Sequence, residues 1–386
     1  MESYVVPKKA SFRDLENSFK VIESNKNLEI RLPNSLSLNG VFGLEGLVCL
    51  LIATWIRNSE GVRVFHSYEN ELDPDKFDDL GSSFYGICAL RLSDKILSSG
   101  RVEIEKTEAL QMAFDRGRKV VSGNFRNAYK GLYLAIPSIK TAGKNREYNS
   151  PFYNENEVSG KNRFRIVTKS AIDSVVPQSS RNSFVSQYEE SISEIIRELF
   201  DNTHKHARIN ENGDVLEKNF RGVIFSSVDI NKSRLEELVS DGVEGMVALT
   251  AEWNKWIEDN GRQMPVLDIT VVDAGPGFAR RWTGKSKNNI SDNEEVEAIL
   301  SCFTKNNSTS PNAADGSGLT HVLTDLRKVR GWFRLRTGSM SVSKSFFDGL
   351  GDVRLEASNV KKAGSFIEGA SFNVVIPLVD ISKGGF

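Results

Sequence analysis

Three clusters in the second half of this 386-residue chain combine residue types suited to phosphate and metal chemistry. The first runs Glu198-Leu-Phe-Asp-Asn202-Thr-His-Lys205-His206-Ala207. On a helix, positions i, i+4, i+7 and i+8 share a face. Glu198, Asn202, Lys205 and His206 therefore project together, beside an apolar stripe of Ile192, Ile195, Ile196 and Leu199. A carboxamide oxygen can ligate Mg2+, which takes hard oxygen donors and keeps several waters. A carboxylate one turn away can orient or deprotonate a nucleophile. The second cluster, Val271-Val272-Asp273-Ala274-Gly275-Pro276-Gly277-Phe278, ends a strand-like run. Asp273 keeps the parity of Leu267, Ile269 and Val271. If that row faces the core, its carboxylate needs a donor such as the exocyclic amine of a bound base. Gly275 and Gly277 let the chain turn with no Cβ in a ligand's way. The third cluster, Asp315-Gly316-Ser317-Gly318-Leu319-Thr320, opens a helical pattern, where free N–H groups and the helix dipole favour a phosphate. Taken singly, each has a plainer reading: a solvated helix face, a Gly-rich turn, an N-terminal loop.

The elements that must position these groups are legible as periodicities. A long helix is expected over about 183–207, strands over 221–230 and 266–272, a helical excursion over 233–259, and a helix over 319–329. A long irregular segment is expected over 279–315, and strand-like runs over 332–336, 353–357 and 371–378. Upstream, Leu28–Leu32 alternates like a strand, 41–56 reads as an apolar helix and 62–66 as the next strand, an order that favours parallel pairing. A helix over 84–97, a strand at 102–104 and a strand at 133–137 follow. The stretch 141–162 is rich in Asn, Ser and Gly and reads as a linker or long loop at a domain boundary.

In their order and settings (ExxxN on a helix, DxGxG after a strand, GxGL opening a helix) the three clusters resemble the GHKL superfamily of ATP-binding proteins. The likeness covers about 164–378. It implies an α+β chain: a Bergerat-type α/β sandwich over 163–386, with helices on one face of a mixed sheet and an ATP lid at about 279–315, preceded by a smaller α/β domain over 1–140. The resemblance implies Mg-ATP as ligand. Glu198 would be the general base, Asn202 the Mg2+ ligand and Lys205 a phosphate contact. Asp273 would take the adenine amine, in a pocket shaped by Gly275 and Gly277. Gly316, Ser317, Gly318 and Leu319 would cradle phosphate, and Lys305 in the lid could reach the γ-phosphate. The tail from Gly369 to Pro377 looks like the family's closing strand, with Ala370 where the family has Thr; Ser371 or a water would have to compensate.

The resemblance also ranks activities. Glu at position 198 matches the hydrolysing branches, where histidine kinases carry Asn, so a slow ATPase acting as a conformational or assembly switch is expected. Alternatives are an anti-sigma-type serine kinase, which the STAS-like β-α-β start would suit, and an ATP-binding regulatory module without turnover. The chain's last residue, Phe386, follows the closing strand directly, so a lysine for the γ-phosphate is expected from Lys305, the N-terminal half or another protein. Net charge is −1, which argues against a basic face for nucleic acid, and no apolar run is long enough to cross a bilayer. The widely spaced Cys49, Cys88 and Cys302 suggest reduced thiols in a cytoplasmic protein. A protein partner or a homodimer, in bacterial signalling or anti-phage defence, is the expected context, with roles open for the first domain and the 231–262 insertion.

Overall fold

In a computed structural model of the protein, the described residues are 2–7, 9–32, 36, 40–67, 80–98, 100–141, 150–178, 183–243, 245–304, 318–349 and 352–379. The chain opens with β1 (Glu2–Val5), α1 (Phe12–Ser24), β2 (Leu28–Leu32), α2 (Leu44–Asn58), β3 (Val64–Ser67), α3 (Phe84–Leu92), β4 (Lys95–Leu97) and β5 (Glu103–Ile104). Strands β1 to β4 pair in parallel in chain order, and β5 closes the sheet antiparallel. Helices α4 (Lys106–Ala109) and α5 (Gln111–Val121), β6 (Tyr133–Lys140), a short hairpin of β7 (Tyr153–Asn154) and β8 (Glu157–Val158), α6 (Lys161–Val175) and α7 (Ser183–His206) follow. Then come β9 (Asn219–Ile230), α8 (Lys232–Ser240), α9 (Met246–Asn260), β10 (Met264–Asp273), α10 (Phe278–Thr283), α11 (Asp292–Cys302), α12 (Gly318–Lys328), β11 (Trp332–Ser345) and β12 (Val360–Pro377). The second sheet has the order β11-β12-β10-β9-β6, antiparallel at every pairing. The chain is α+β, with a mixed first sheet and an antiparallel second one.

Helices cover both faces of the second sheet. On one face α7 packs against β9 and β10, flanked by α6 and α12. On the other lie α1 and α2, with α3 against β6 and β9. Helix α2 is buried from Leu44 to Ile56, as an apolar segment with no polar face must be. It meets the first sheet through Trp55, whose Nε1–H donates to the Leu28 carbonyl at 2.8 Å. Its fit against the second sheet is close enough that a Cβ at Gly46 would overlap Ser371 Oγ. Between α1 and β11, Arg336, 1% exposed, pairs with Glu16 at 2.9 Å.

Several expectations change. β6 precedes the expected domain boundary, yet it forms the edge of the second sheet, and one buried core runs through both halves. Within the expected linker, Phe152 is fully buried and stacks on Phe164 at 4.3 Å. The helix expected over 84–97 stops at Leu92, because Lys95–Leu97 completes the first sheet beside β3. The expected irregular segment is folded from Phe278 to Cys302; a capping box of Ser291 and Glu294 starts α11, and Ala298 and Ile299 are buried. The run 353–357 is no strand: a 3-10 turn at Ala357–Asn359 leads into β12. The start of the chain, unassigned from sequence, forms β1 and α1.

Candidate functional site

The three clusters meet at an open cleft of about 920 Å³ between α7, the end of β10 and the start of α12. Helix α7 turns Leu199, Asn202, Thr203 and His206 into it, a row spaced i, i+3, i+4 and i+7. Ile192, Ile195 and Ile196 on the same helix are buried in the core and fix that rotation. From β10, Val271 and Asp273 line the cleft, so the row sharing the parity of Leu267 and Ile269 does face α7. Ala370 and Phe372 of β12, which pair with Asp273 and Val271, complete the floor.

Asp273 is buried at the bottom. Burial pushes its carboxyl up to about 7, against the opposing pull of the Gly275 N–H, Arg221 and the Ala370 N–H. The Gly275 N–H donates to its Oδ1 at 2.9 Å. Arg221, its pairing partner across β9, donates instead to the Tyr153 hydroxyl at 2.6 Å. Gly275 lies against α7, where a Cβ would come within 2.6 Å of the Ala207 Cα. Gly277 lines the cleft at φ +81°, a conformation that disfavours any side chain, and starts α10. Gly318 and Leu319, the first residues of α12, form the opposite wall.

Glu198 stands beside that wall. A Cβ on Gly318 would lie 2.6 Å from Glu198 Oε2 and 4.0 Å from Asn202 Nδ2, so the missing side chain is what lets helix α12 begin at these groups. Burial raises the Glu198 carboxyl above its ordinary range, opposed by Arg197, with which it forms an ion pair. Beyond Glu198 a second open groove, of about 830 Å³, is lined by Lys161, Glu194, Glu198, His321, Asp325 and Lys328.

Lys205 is a correction. It pairs with Asp201 at 2.9 Å, one turn back on α7, and is not among the residues lining the cleft; His206 is. At about 100° per residue, Lys205 lies about 100° round α7 from His206, on the side of Glu198 rather than on the face shared by Leu199 and His206. Ser371 is another. Strand alternation sends it to the α2 face, where it is buried, so it cannot replace a hydroxyl at Ala370. Thr337, paired with Ala370 across β11, carries a hydroxyl that accepts from the Phe278 N–H at 3.1 Å. Lys305, Gly316 and Ser317 lie outside the described residues.

Sequence reasoning misses Arg281, Trp282, Phe278 and Cys302, all of which line the cleft. For Phe278, Arg281 and Trp282 the signal is adjacency: a helix starting directly at Gly277 must carry its first turns along the cleft mouth; Cys302 arrives from the end of α11. The Cys302 thiol is pushed up to about 12 by burial, which leaves it a poor nucleophile. The result is an apolar slot with a carboxyl at its floor and a carboxamide, a helix start and a guanidinium around its rim. Among the described residues no cluster of three or more His, Cys, Asp or Glu could hold a metal ion. Among them, too, no helix is long and apolar enough to cross a membrane. No family model matches the chain, and neither a curated protein nor a solved structure matches it.

Proposed function

We propose that the cleft binds Mg-ATP in the GHKL manner and that the protein is a slow ATPase whose nucleotide state switches its conformation or its partners. One observation carries the reading. Asn202, Asp273, Gly277 and Gly318, drawn from three segments of the chain, line one cleft, and Gly318 also lies close against Glu198, which lines the adjoining groove. Asp273 fits an adenine amine as a buried acceptor in an apolar slot. Asn202 supplies one hard oxygen for Mg2+, a number that suits an ion holding mainly waters and phosphate oxygens. Bound there, the metal would neutralise phosphate charge; Glu198, its pKa raised by burial, would take the proton from the attacking water.

The test is phosphate release from Mg-ATP by the full chain, with ATP binding measured alongside. Glu198→Gln is expected to keep binding and lose about 100-fold or more in turnover. Asn202→Ala is expected to lose Mg-dependent binding. Unchanged ATP binding in an Asn202→Ala, Asp273→Ala double variant would sink the assignment. A second reading, phosphoryl transfer to a serine of another protein, draws on the charged groove beyond Glu198, which could seat an acceptor. Label from γ-phosphate on a partner protein, rather than as free phosphate, would favour it.

A further inference from the structure

We propose that Arg281 binds the anionic part of the cleft's ligand, making the cleft selective for phosphate-bearing nucleotides over the nucleoside. This rests on the ATP reading above and adds a contact that none of the three motifs contains. Helix α10 carries two adjacent arginines with opposite fates. Arg280 is neutralised: its Nη1 reaches both Glu368 oxygens at 2.8 and 2.7 Å, and its Nη2 reaches Glu211 at 2.5 Å. Arg281, about 100° further round the helix, lines the cleft. Its Nε is buried with no hydrogen-bond partner, and the side chain makes no hydrogen bond or ion pair to any described residue.

That arrangement is costly without an anion. A guanidinium cannot shed its charge, so partial burial has to be met by a counter-ion or by water. Asp273 is the one carboxylate among the residues lining the cleft, and its contacts are to the Gly275 and Ala370 N–H groups. An anion for Arg281 must come from what enters. The planar fork of a guanidinium matches phosphate oxygens two at a time, a geometry a lysine cannot reproduce. The cleft is thereby polarised, with an acceptor for a base at its floor and a cation for phosphate at its mouth.

The experiment titrates ATP, ADP, adenosine and pyrophosphate separately into the full chain, as wild type, Arg281→Gln and Arg281→Lys. Melting temperature serves as the folding control, since an unpaired residue can be replaced without breaking a contact. Wild type is expected to bind ATP and ADP more tightly than adenosine. Arg281→Gln should weaken ATP and ADP by roughly 10- to 100-fold, the size of a charge-assisted contact, and leave adenosine within about twofold. Arg281→Lys should fall between. Equal weakening of all three ligands by Arg281→Gln, or of none, overturns the proposal. If wild type binds no adenine ligand but binds pyrophosphate in an Arg281-dependent way, the ATP reading fails and the anion contact stands. Binding of neither overturns both.

Discussion

Asp273→Asn is expected to stabilise the fold at alkaline pH while weakening the ligand site. Burial raises the Asp273 carboxyl from its ordinary 3.8 to about 7. That gap is about three pH units at roughly 1.4 kcal/mol each, so the ionised side chain costs the folded state on the order of 4 kcal/mol. The sign follows from proton counts. Between about pH 4 and pH 7 the folded state holds a proton that the unfolded state has released, so stability falls as pH rises through that window. Above about pH 7 both states are ionised and the cost is fully present. Asparagine is neutral throughout and keeps the bond from the Gly275 N–H through its Oδ1. It forfeits one acceptor oxygen, worth about 1 kcal/mol, leaving a net gain of ~3 kcal/mol at pH 8. Near pH 4 the gain should vanish or turn into a loss of about 1 kcal/mol.

The assay is urea unfolding of wild type and Asp273→Asn from pH 4 to pH 8.5, followed by tryptophan fluorescence. Burial also raises Asp268 and Glu45 to about 7, so the wild-type curve alone would mix three groups. The difference between the two proteins isolates position 273. A pH-independent difference, or a variant less stable than wild type at pH 8, would refute the burial argument. ATP affinity measured on the same samples should fall at least ~10-fold, because an amide N–H2 replaces one of the acceptor oxygens available to an adenine amine. Gain in stability with loss of binding is the behaviour expected of a carboxylate kept for function.

Three substitutions probe other parts of the argument. Gly318→Ala places a Cβ 2.6 Å from Glu198 Oε2, the far end of a side chain that can swing away. Stability should stay within about 0.5 kcal/mol of wild type while ATP affinity drops at least ~10-fold, and unaltered titration with ATP would remove Gly318 from the site. Gly46→Ala pits a helix-propensity gain of about 1 kcal/mol against overlap with Ser371 Oγ and a 2.8 Å approach to Thr270 Cγ2, both on interior strands. Overpacking of roughly 1–3 kcal/mol should win, with partial recovery in Gly46→Ala, Ser371→Ala; a more stable single variant would mean that α2 is not docked so closely. Arg336→Met strands Glu16 and the carbonyls of Gly338 and Ser365, and should cost about 3–5 kcal/mol by denaturant titration, against a smaller loss for Glu16→Gln.

What is legible in the sequence is what depends on near neighbours. Helical spacing brings Asn202 to the cleft wall beside Glu198, and strand parity places Asp273 on the same face as Val271. The same parity rule, applied to Ala370, sends Ser371 to the opposite face of β12. Lys205 fails because it follows Glu198 round the helix, about 100° from His206, and Asp201, four residues away, is its partner. Long-range pairing is not legible. Nothing local in Tyr133–Lys140 says that it is the edge of a sheet whose other strands begin about eighty residues later, nor that Val353–Leu355 is left out of that sheet. Polarity misleads between 279 and 304, where α11 is anchored by a few buried residues on an otherwise charged helix.

The most consequential feature that the sequence hides is the placement of α2. Gly43 at its start, then Gly46, Leu50, Thr54 and Arg57, fall on one helical stripe, spaced 3, 4, 4 and 3. That stripe meets Asn373, Ser371, Gly369, Glu368 and Ala274 in turn. The last contacts are polar: the Glu368 N–H donates to Thr54 Oγ1 at 3.0 Å, and Arg57 Nη2 donates to the Ala274 carbonyl at 3.1 Å. Ala274 lies between the buried carboxyl of Asp273 and Gly275. Glu368 holds Arg280, the neighbour of Arg281 on α10. A helix from the first half of the chain thus packs behind the strands that floor the cleft. A sheet with one covered face would leave Asp268, Asn373 and Ser371 in water. Here Asp268 accepts from the Phe42 N–H at 2.6 Å and from Asn373 Nδ2 at 3.0 Å, deep between the layers. Two rigidly packed layers repack in discrete steps rather than bending. Under the proposed nucleotide switch, a ligand that displaces Asp273 or α10 presses on groups that α2 contacts, and α2 reaches the first sheet through Trp55.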